Sequence, residues 1–171
     1  MALTNFAVQQ LIKPISPNKA TGFDLICEEV EQVYLPKLLG IQMYSDLLSN
    51  GANYTDLIDG GTFNINGVQY MQKGLKYILS YYNYAKYIKN AHLADSFTGL
   101  VVQNRDETTH VTSSELERIS IENIEIANTA WLLTKCYLDN NLSLYPLWNC
   151  ATSIVIMPFK IVAMPNNKQK R

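Results

Sequence analysis

Two histidines, three cysteines and a net charge of −1 are a thin supply for catalysis or ligand binding, and each shortage closes a class of function. His92 and His110 have no metal-ligating partner at helical spacing and form no HExxH pattern, so no helix-borne zinc site is encoded. Cys27, Cys136 and Cys150 are odd in number and lack CxxC spacing, which excludes a disulfide framework and a zinc ribbon; reduced, structural cysteines are expected. A Cys–His nucleophile pair could arise only through tertiary proximity. Gly60-Gly61 and Gly67 lack the spacing and the lysine of a phosphate-cradling loop. Asp56 with Asp59, or Asp106 with Glu107, could hold a hard cation only if further oxygen ligands converged, and solvated loop carboxylates are the plainer reading. No catalytic residue, cofactor or metal is therefore expected.

Long apolar runs are absent too. Nothing approaches the length needed to cross a bilayer, and the N-terminal residues lack the charged start, apolar run and small-residue cleavage site of a secretion signal. A cytosol-like compartment and no membrane partner are the expectation. Charge of one sign is scarce except at the end, where Lys168, Lys170 and Arg171 are positive and leave the rest mildly acidic. Lys73, Lys76, Lys86 and Lys89 are spread over about 200° of a helix at 100° per residue, too wide for a phosphate-binding patch. The basic tail and exposed tyrosines keep open a small nucleic-acid-binding helical module as an alternative function.

What is present is a globular chain. Hydrophobic residues make up 47% and charged residues 17%, which excludes a disordered polymer, and 171 residues suffice for one domain with a real core. Eleven tyrosines suit both cores and subunit contacts. The longest helical pattern runs from Thr112 to Asn141. Thr112 and Glu115 form a capping box that starts it, and Asp139-Asn140-Asn141 stop it. Between them Leu116, Ile119, Ile124, Ala127, Ala130, Trp131, Thr134, Tyr137 and Leu138 fall on one side. Ile121, Ile126, Leu132 and Leu133 lie off that stripe. Either the helix is buried on most sides by its own domain, or the extra side packs on another subunit.

Taken in order, residues 1–20 form an arm in which Pro14 and Pro17 force an extended or turn conformation. Thr21 can cap a helix from about Gly22, with Asp24 in its first turn, Ile26, Val30, Val33 and Tyr34 inward, and Glu28, Glu29 and Glu31 facing water. Pro36 should break or kink it, and a second helix starting at Leu35 or Pro36 carries Leu39, Met43, Leu47 and Leu48. Residues 50–67 read as a loop leading into a hairpin, Thr62–Ile65 and Val68–Tyr70 joined by Asn66-Gly67. The next helix spans Lys73–Asn90, with Ile78, Tyr81, Tyr82, Ala85 and Ile88 inward. Small residues at Gly74 and Ala85 would let it approach the central helix, while Tyr77, Tyr84 and Tyr87 widen its aromatic surface. A short strand at 98–102 precedes the polar loop 103–110. After the central helix, Tyr145-Pro146-Leu147-Trp148 is a turn that lids the core. The apolar, β-branched segment 153–162, interrupted by Pro158, reads as an edge strand needing a partner. The fold class is thus mainly α: a small bundle of about four helices with a short β-hairpin and extended N- and C-terminal arms. Its parts are an arm (1–20), a helical domain (21–148), and a C-terminal strand with a basic tail (149–171).

Three stretches carry a resemblance. They are Ile15-Ser16-Pro17 before a helix running through Tyr34-Leu35-Pro36-Lys37-Leu38-Leu39-Gly40 to Met43-Tyr44-Ser45-Asp46-Leu47-Leu48, Gly74-Leu75-Lys76 opening a helix with Tyr81-Tyr82-Asn83-Tyr84-Ala85, and Thr98-Gly99-Leu100-Val101 before the long helix. Over residues 12–148 this order resembles the head–tail connector proteins of tailed bacteriophages, portal adaptors or neck rings, and those of crAss-like phages of gut Bacteroidetes in particular. The resemblance implies a structural virion protein, not an enzyme. It implies a homo-oligomeric ring, a dodecamer by expectation, at the portal vertex of the virion after assembly in the host cytoplasm. Its partners would be itself, the portal protein and other neck or tail proteins, with DNA passing through the channel without sequence-specific contact. Candidate subunit-interface residues are Ile121, Ile126, Leu132, Leu133, Tyr84, Tyr87, Ile154, Ile156, Phe159 and Ile161. The edge strand or the N-terminal arm would reach a neighbouring subunit or the portal.

Overall fold

The computed structural model describes residues 2–16, 20–90, 93–96, 99–102 and 112–149. Their order is α1 (Phe6–Ile12), α2 (Ala20–Leu39), α3 (Ile41–Ser49), a 3-10 turn (Gly51–Tyr54), α4 (Thr55–Asp59), β1 (Gly61–Ile65), β2 (Val68–Gln72), α5 (Gly74–Asn90), β3 (Leu93–Ser96), β4 (Gly99–Val102) and α6 (Ser113–Asn140). The fold is mainly helical, and its strands make two separate antiparallel hairpins. The loop 103–110, the segment 153–162 and the basic tail lie outside the described residues.

The long helix α6 starts where the capping box puts it: the Glu115 amide donates to Thr112 Oγ1 at 3.3 Å, and the Thr112 amide to Glu115 Oε2 at 2.8 Å. The Thr112 amide foremost, and the Thr112 hydroxyl that donates to the same oxygen at 2.8 Å, hold the Glu115 carboxyl below the usual carboxylate range. Antiparallel to α6 runs α5. Tyr82 Oη donates to Asn128 Oδ1 at 2.7 Å, and further along Ser120 Oγ donates to the Ala85 carbonyl at 3.1 Å. Ile78, Leu79, Ala127, Trp131 and Leu138 are buried in the core around this pair, with Leu35, Leu38, Leu39 and Met43 from α2 and α3. The aromatic turn closes one end as expected. Trp148 lies edge-on to Trp131 at 5.9 Å and donates Nε1–H to Asp139 Oδ1, while the hydroxyls of Tyr137 and Tyr145 are 3.1 Å apart.

Several expectations need correction. Pro36 does not break its helix: α2 runs through it to Leu39, and the chain turns at Gly40, whose φ of +79° suits glycine. A proline inside a helix costs about 3 kcal/mol. Leu35, Leu38 and Leu39, each at most 1% exposed, lie on either side of it, and each such burial is worth roughly 1.5–3 kcal/mol, so packing wins. The second helix accordingly begins at Ile41. On α2, Glu31 is buried instead of facing water and Val33 is 42% exposed instead of inward. Residues 51–59 are no plain loop; they form the 3-10 turn and α4, and bury Tyr54, Leu57 and Ile58. The first residues are not extended throughout, because Asn5 caps α1 by accepting from the Val8 amide. Lys13–Ser16, around Pro14, carry no helix.

The β1–β2 hairpin follows the sequence closely. Asn66 and Gly67 both have positive φ, +51° and +81°, as a type I′ turn requires, and Ile65 pairs with Val68 across it. Gly74 has a different role from the one its position suggested. It meets the α4–β1 junction, not α6. A Cβ on it would sit 2.5 Å from Gly60 N and from the Ile58 carbonyl oxygen, and its φ is +82°. Gln72, fully buried, stitches the same junction: its side-chain oxygen accepts from the Gly74 amide at 2.7 Å and from Thr134 Oγ1 at 3.4 Å, and its Nε2 donates to the Asp56 carbonyl. Gly74→Ala should therefore cost about 3 kcal/mol or more, from backbone overlap added to an unfavourable φ. Gly67→Ala, with similar φ but open space around it, should cost only about 1–2 kcal/mol. Urea denaturation midpoints of the two variants check the difference, and equal losses would contradict the close approach.

Candidate assembly surfaces

Apolar side chains that the described residues leave uncovered mark where other molecules can pack. Of the expected interface residues on α6, Leu132 and Leu133 are 52% and 37% exposed, and Cys136, one turn on from Leu132, is exposed as well. Ile121 and Ile126 are half-buried by the chain itself. Tyr84 and Tyr87 are also half-buried, and the structure gives them an internal task. Tyr87 packs edge-on against Phe23 at 5.8 Å, Phe23 edge-on against Phe6 at 6.4 Å, and Lys13 Nζ sits 4.9 Å above the Tyr84 ring. With Ile15 and Cys27 these residues form a second small core between α2, α5 and the N-terminal segment. Ile154, Ile156, Phe159 and Ile161 lie outside the described residues.

The N-terminal segment is thus docked on its own domain. Its deepest fastening is Glu31, whose carboxylate accepts from the amides of Leu3 (2.9 Å) and Thr4 (2.6 Å) and from Thr4 Oγ1 (2.8 Å). Thr4 Oγ1 in turn accepts from Asn83 Nδ2 at 3.1 Å. Asn83 also donates to Cys27 Sγ at 3.3 Å. Burial pushes the Cys27 thiol up to about 12, so it stays protonated and unreactive. Sequence reasoning set Glu31 among solvated glutamates of α2. Its partners are 27 and 28 residues away, and no local signal names them.

Beyond the expected residues, exposed apolar side chains occur at several places, among them Val68, Tyr70 and Met71 on β2, Leu11 on α1 and Leu25 on α2, and two further stretches bear on assembly. Leu142 (54% exposed), Leu144 (66%) and Leu147 (40%) follow one another after α6, and Ile41, at 78%, stands at the start of α3. Leu147 and Ile41 face a common groove at the α2–α3 elbow. Ile41 was missed because it follows the break at Gly40. At 100° per residue it lies about 200° from the buried Met43, which is the signal that could have found it.

Some of the charge is paired within the described residues. Lys76 pairs with Asp59 and Lys86 with Glu29. Asp46 accepts from Tyr54 Oη and Asn50 Nδ2, which hold its carboxyl below the usual range. Among the described residues no three His, Cys, Asp or Glu side chains converge as metal ligands, and no helix is long and apolar enough to cross a membrane. Comparison with known proteins gives one family. The profile of a family of unknown function, DUF6712, matches residues 35–155, well over half of the chain. The chain belongs to that family. No curated protein and no solved structure matches it. The DUF6712 match leaves the N-terminal segment and most of α2 outside, and takes in the elbow groove, the β1–β2 hairpin, α5, α6 and the turn after it.

Two outcomes test the docked N-terminal segment. Glu31→Ala removes the acceptor of three hydrogen bonds and should cost about 3 kcal/mol, with chymotrypsin then cutting near Phe6 and Leu11 well before the rest of the chain. Simultaneous cutting everywhere in the variant would show the segment to be no separate clasp. In the native protein at pH 8, a thiol reagent followed by peptide mass mapping should mark Cys136 and spare Cys27 until denaturant is added.

Proposed function

We propose that this protein is a structural component of a phage virion, a head–tail connector that forms a ring below the portal, joins the capsid vertex to the neck or tail, and continues the DNA channel. The observation that carries the reading is the run of uncovered leucines after α6, Leu142, Leu144 and Leu147, the last of which shares a groove with the exposed Ile41. Single exposed leucines are ordinary, but several in one short stretch mark a surface that is covered in the working state. The resemblance over residues 12–148 supplies the identity of the assembly, and the charge pattern fits it. Ion pairs within the chain and a mildly acidic body suit a wall past which DNA slides better than a surface that grips phosphates.

The docked N-terminal segment bears on which arm couples neighbours. Leu3, Thr4, Phe6 and Ile15 are occupied by contacts to α2 and α5, although Leu11 stands exposed, so we assign the coupling to the C-terminal segment 150–171. The ring should be visible directly. Light scattering across concentration, with negative-stain images of the same samples, should give closed rings of about twelve subunits, either from the protein alone or after mixing with its portal. Removing residues 150–171 should abolish both ring assembly and portal docking. A strict monomer in both conditions would overturn the connector reading. Rings that persist unchanged after the truncation would remove the C-terminal segment from it.

A further inference from the structure

The groove at the α2–α3 elbow is a consequence of how the chain turns there. Helix α2 ends at Leu39, Gly40 reverses the direction with positive φ and no side chain, and α3 leaves with Met43 pointing inward and Ile41 pointing out. Leu39 and Met43, 1% and 0% exposed, belong to the core and form the floor; Pro36, Ile41 and Leu147 are its apolar walls, and Lys37, Gln42 and Asn149 its polar rim. The open space is about 450 Å3, room for a few large side chains. Apolar lining of this size, rimmed by an isoleucine that is 78% exposed, is the form of a site that takes apolar side chains.

The chain itself holds a segment of matching chemistry. The described residues end at Asn149, on the rim of the groove, and 22 residues follow. Among them residues 153–162 carry Ile154, Ile156, Met157, Phe159 and Ile161 within ten positions. Pro158 interrupts the run and removes a backbone donor, which disfavours a continuous strand ladder on an edge such as β2 and favours recognition through side chains in a groove. Only Cys150-Ala151-Thr152 separate Asn149 from residue 153, so a segment seated in its own groove is tethered within about 10 Å of that rim, whereas the segment of a second copy can enter from any side. We propose that the elbow groove seats residues 153–162 of a second copy of this chain.

The symmetry of such a contact is set by its chemistry. Groove and segment are different parts of one chain, so each subunit gives a segment to one neighbour and receives one from another. A head-to-tail contact of this kind builds a ring when its rotation closes and an open filament when it does not. The inference deepens the connector reading and depends on it only for closure.

The test uses the full chain with Cys136→Ser and Cys150→Ser, leaving the buried Cys27 in place. One version carries Ile41→Cys, and a second, with a size-shifting tag, carries Ile156→Cys. Oxidising the mixture should give a disulfide-linked product containing one of each chain, absent when either is oxidised alone. No mixed product, or closure only within single chains of the Ile41→Cys/Ile156→Cys double variant, would overturn the proposal. Ile41→Asp supplies the functional arm. Because Ile41 is exposed, the melting temperature should stay unchanged while association weakens at least tenfold in light scattering. Unaltered association in Ile41→Asp would overturn the groove while leaving the connector reading intact. Mixed disulfides in dimers or open filaments would support the groove and overturn the ring.

Discussion

Two backbones touching at Gly60 and Gly74, with the Gln72 carboxamide beside them, fix the relation between most elements of this chain. Neither glycine can carry a side chain there: both have positive φ, and a Cβ on either would meet main-chain atoms at under 3 Å. The contact brings the end of α4 against the start of α5. Gln72 then spends its amide group on three partners in three elements, the Asp56 carbonyl of α4, the Gly74 amide of α5 and the Thr134 hydroxyl of α6. A buried amide so placed is costly to leave half-satisfied, and that cost sets the register between α5 and α6. The hairpin β1–β2 becomes the span between the two touching glycines, which explains its tight two-residue turn and its exposed outer face.

From that junction the α5–α6 pair extends as a rigid spine, and the rest of the chain adds layers to it. On one side α2 and α3 supply leucines and Met43. At the end of α6, Tyr145 and Trp148 turn back onto Tyr137 and Trp131, so the turn that ends at Asn149 is held by aromatic contacts and two polar anchors, Tyr137–Tyr145 and Trp148–Asp139. The N-terminal segment closes the other side through Glu31 and the Phe6, Phe23 and Tyr87 rings. Its lock is polar at the centre and aromatic around it.

How much of this was legible in the sequence divides along the range of the interaction. Thr112 with Glu115, Asn66-Gly67 and the Tyr145–Trp148 turn act within a few residues, so their chemistry could be read from spacing alone. Pro36, Gly74, Glu31 and the 51–59 stretch could not, because local propensity there is overruled from a distance. A proline tolerated between buried leucines, a glycine needed by a backbone 14 positions away and a glutamate bonded 27 positions away look in sequence like a breaker, a small helix residue and a solvated charge. The candidate surface shows the same limit. Leu132 and Leu133 stood out by leaving a helical stripe, whereas Tyr84 and Tyr87, equally off-stripe, are half-covered by an N-terminal segment that periodicity says nothing about.

The asymmetry between the two ends of the chain has a physical consequence for assembly. A side chain spent on its own domain, as those of Thr4, Phe6 and Ile15 are, gains nothing by reaching a neighbour unless it first gives those contacts up. At the other end Tyr145 and Trp148 hold the chain on α6 up to Asn149, so on the proposed reading the segment that follows starts from a fixed point, which reduces the entropy lost when it lands on a neighbour. If the segment lands in the groove of a second copy, as proposed, each subunit hands it onward, and a ring is what repeated handing-on becomes when the angle between neighbours closes.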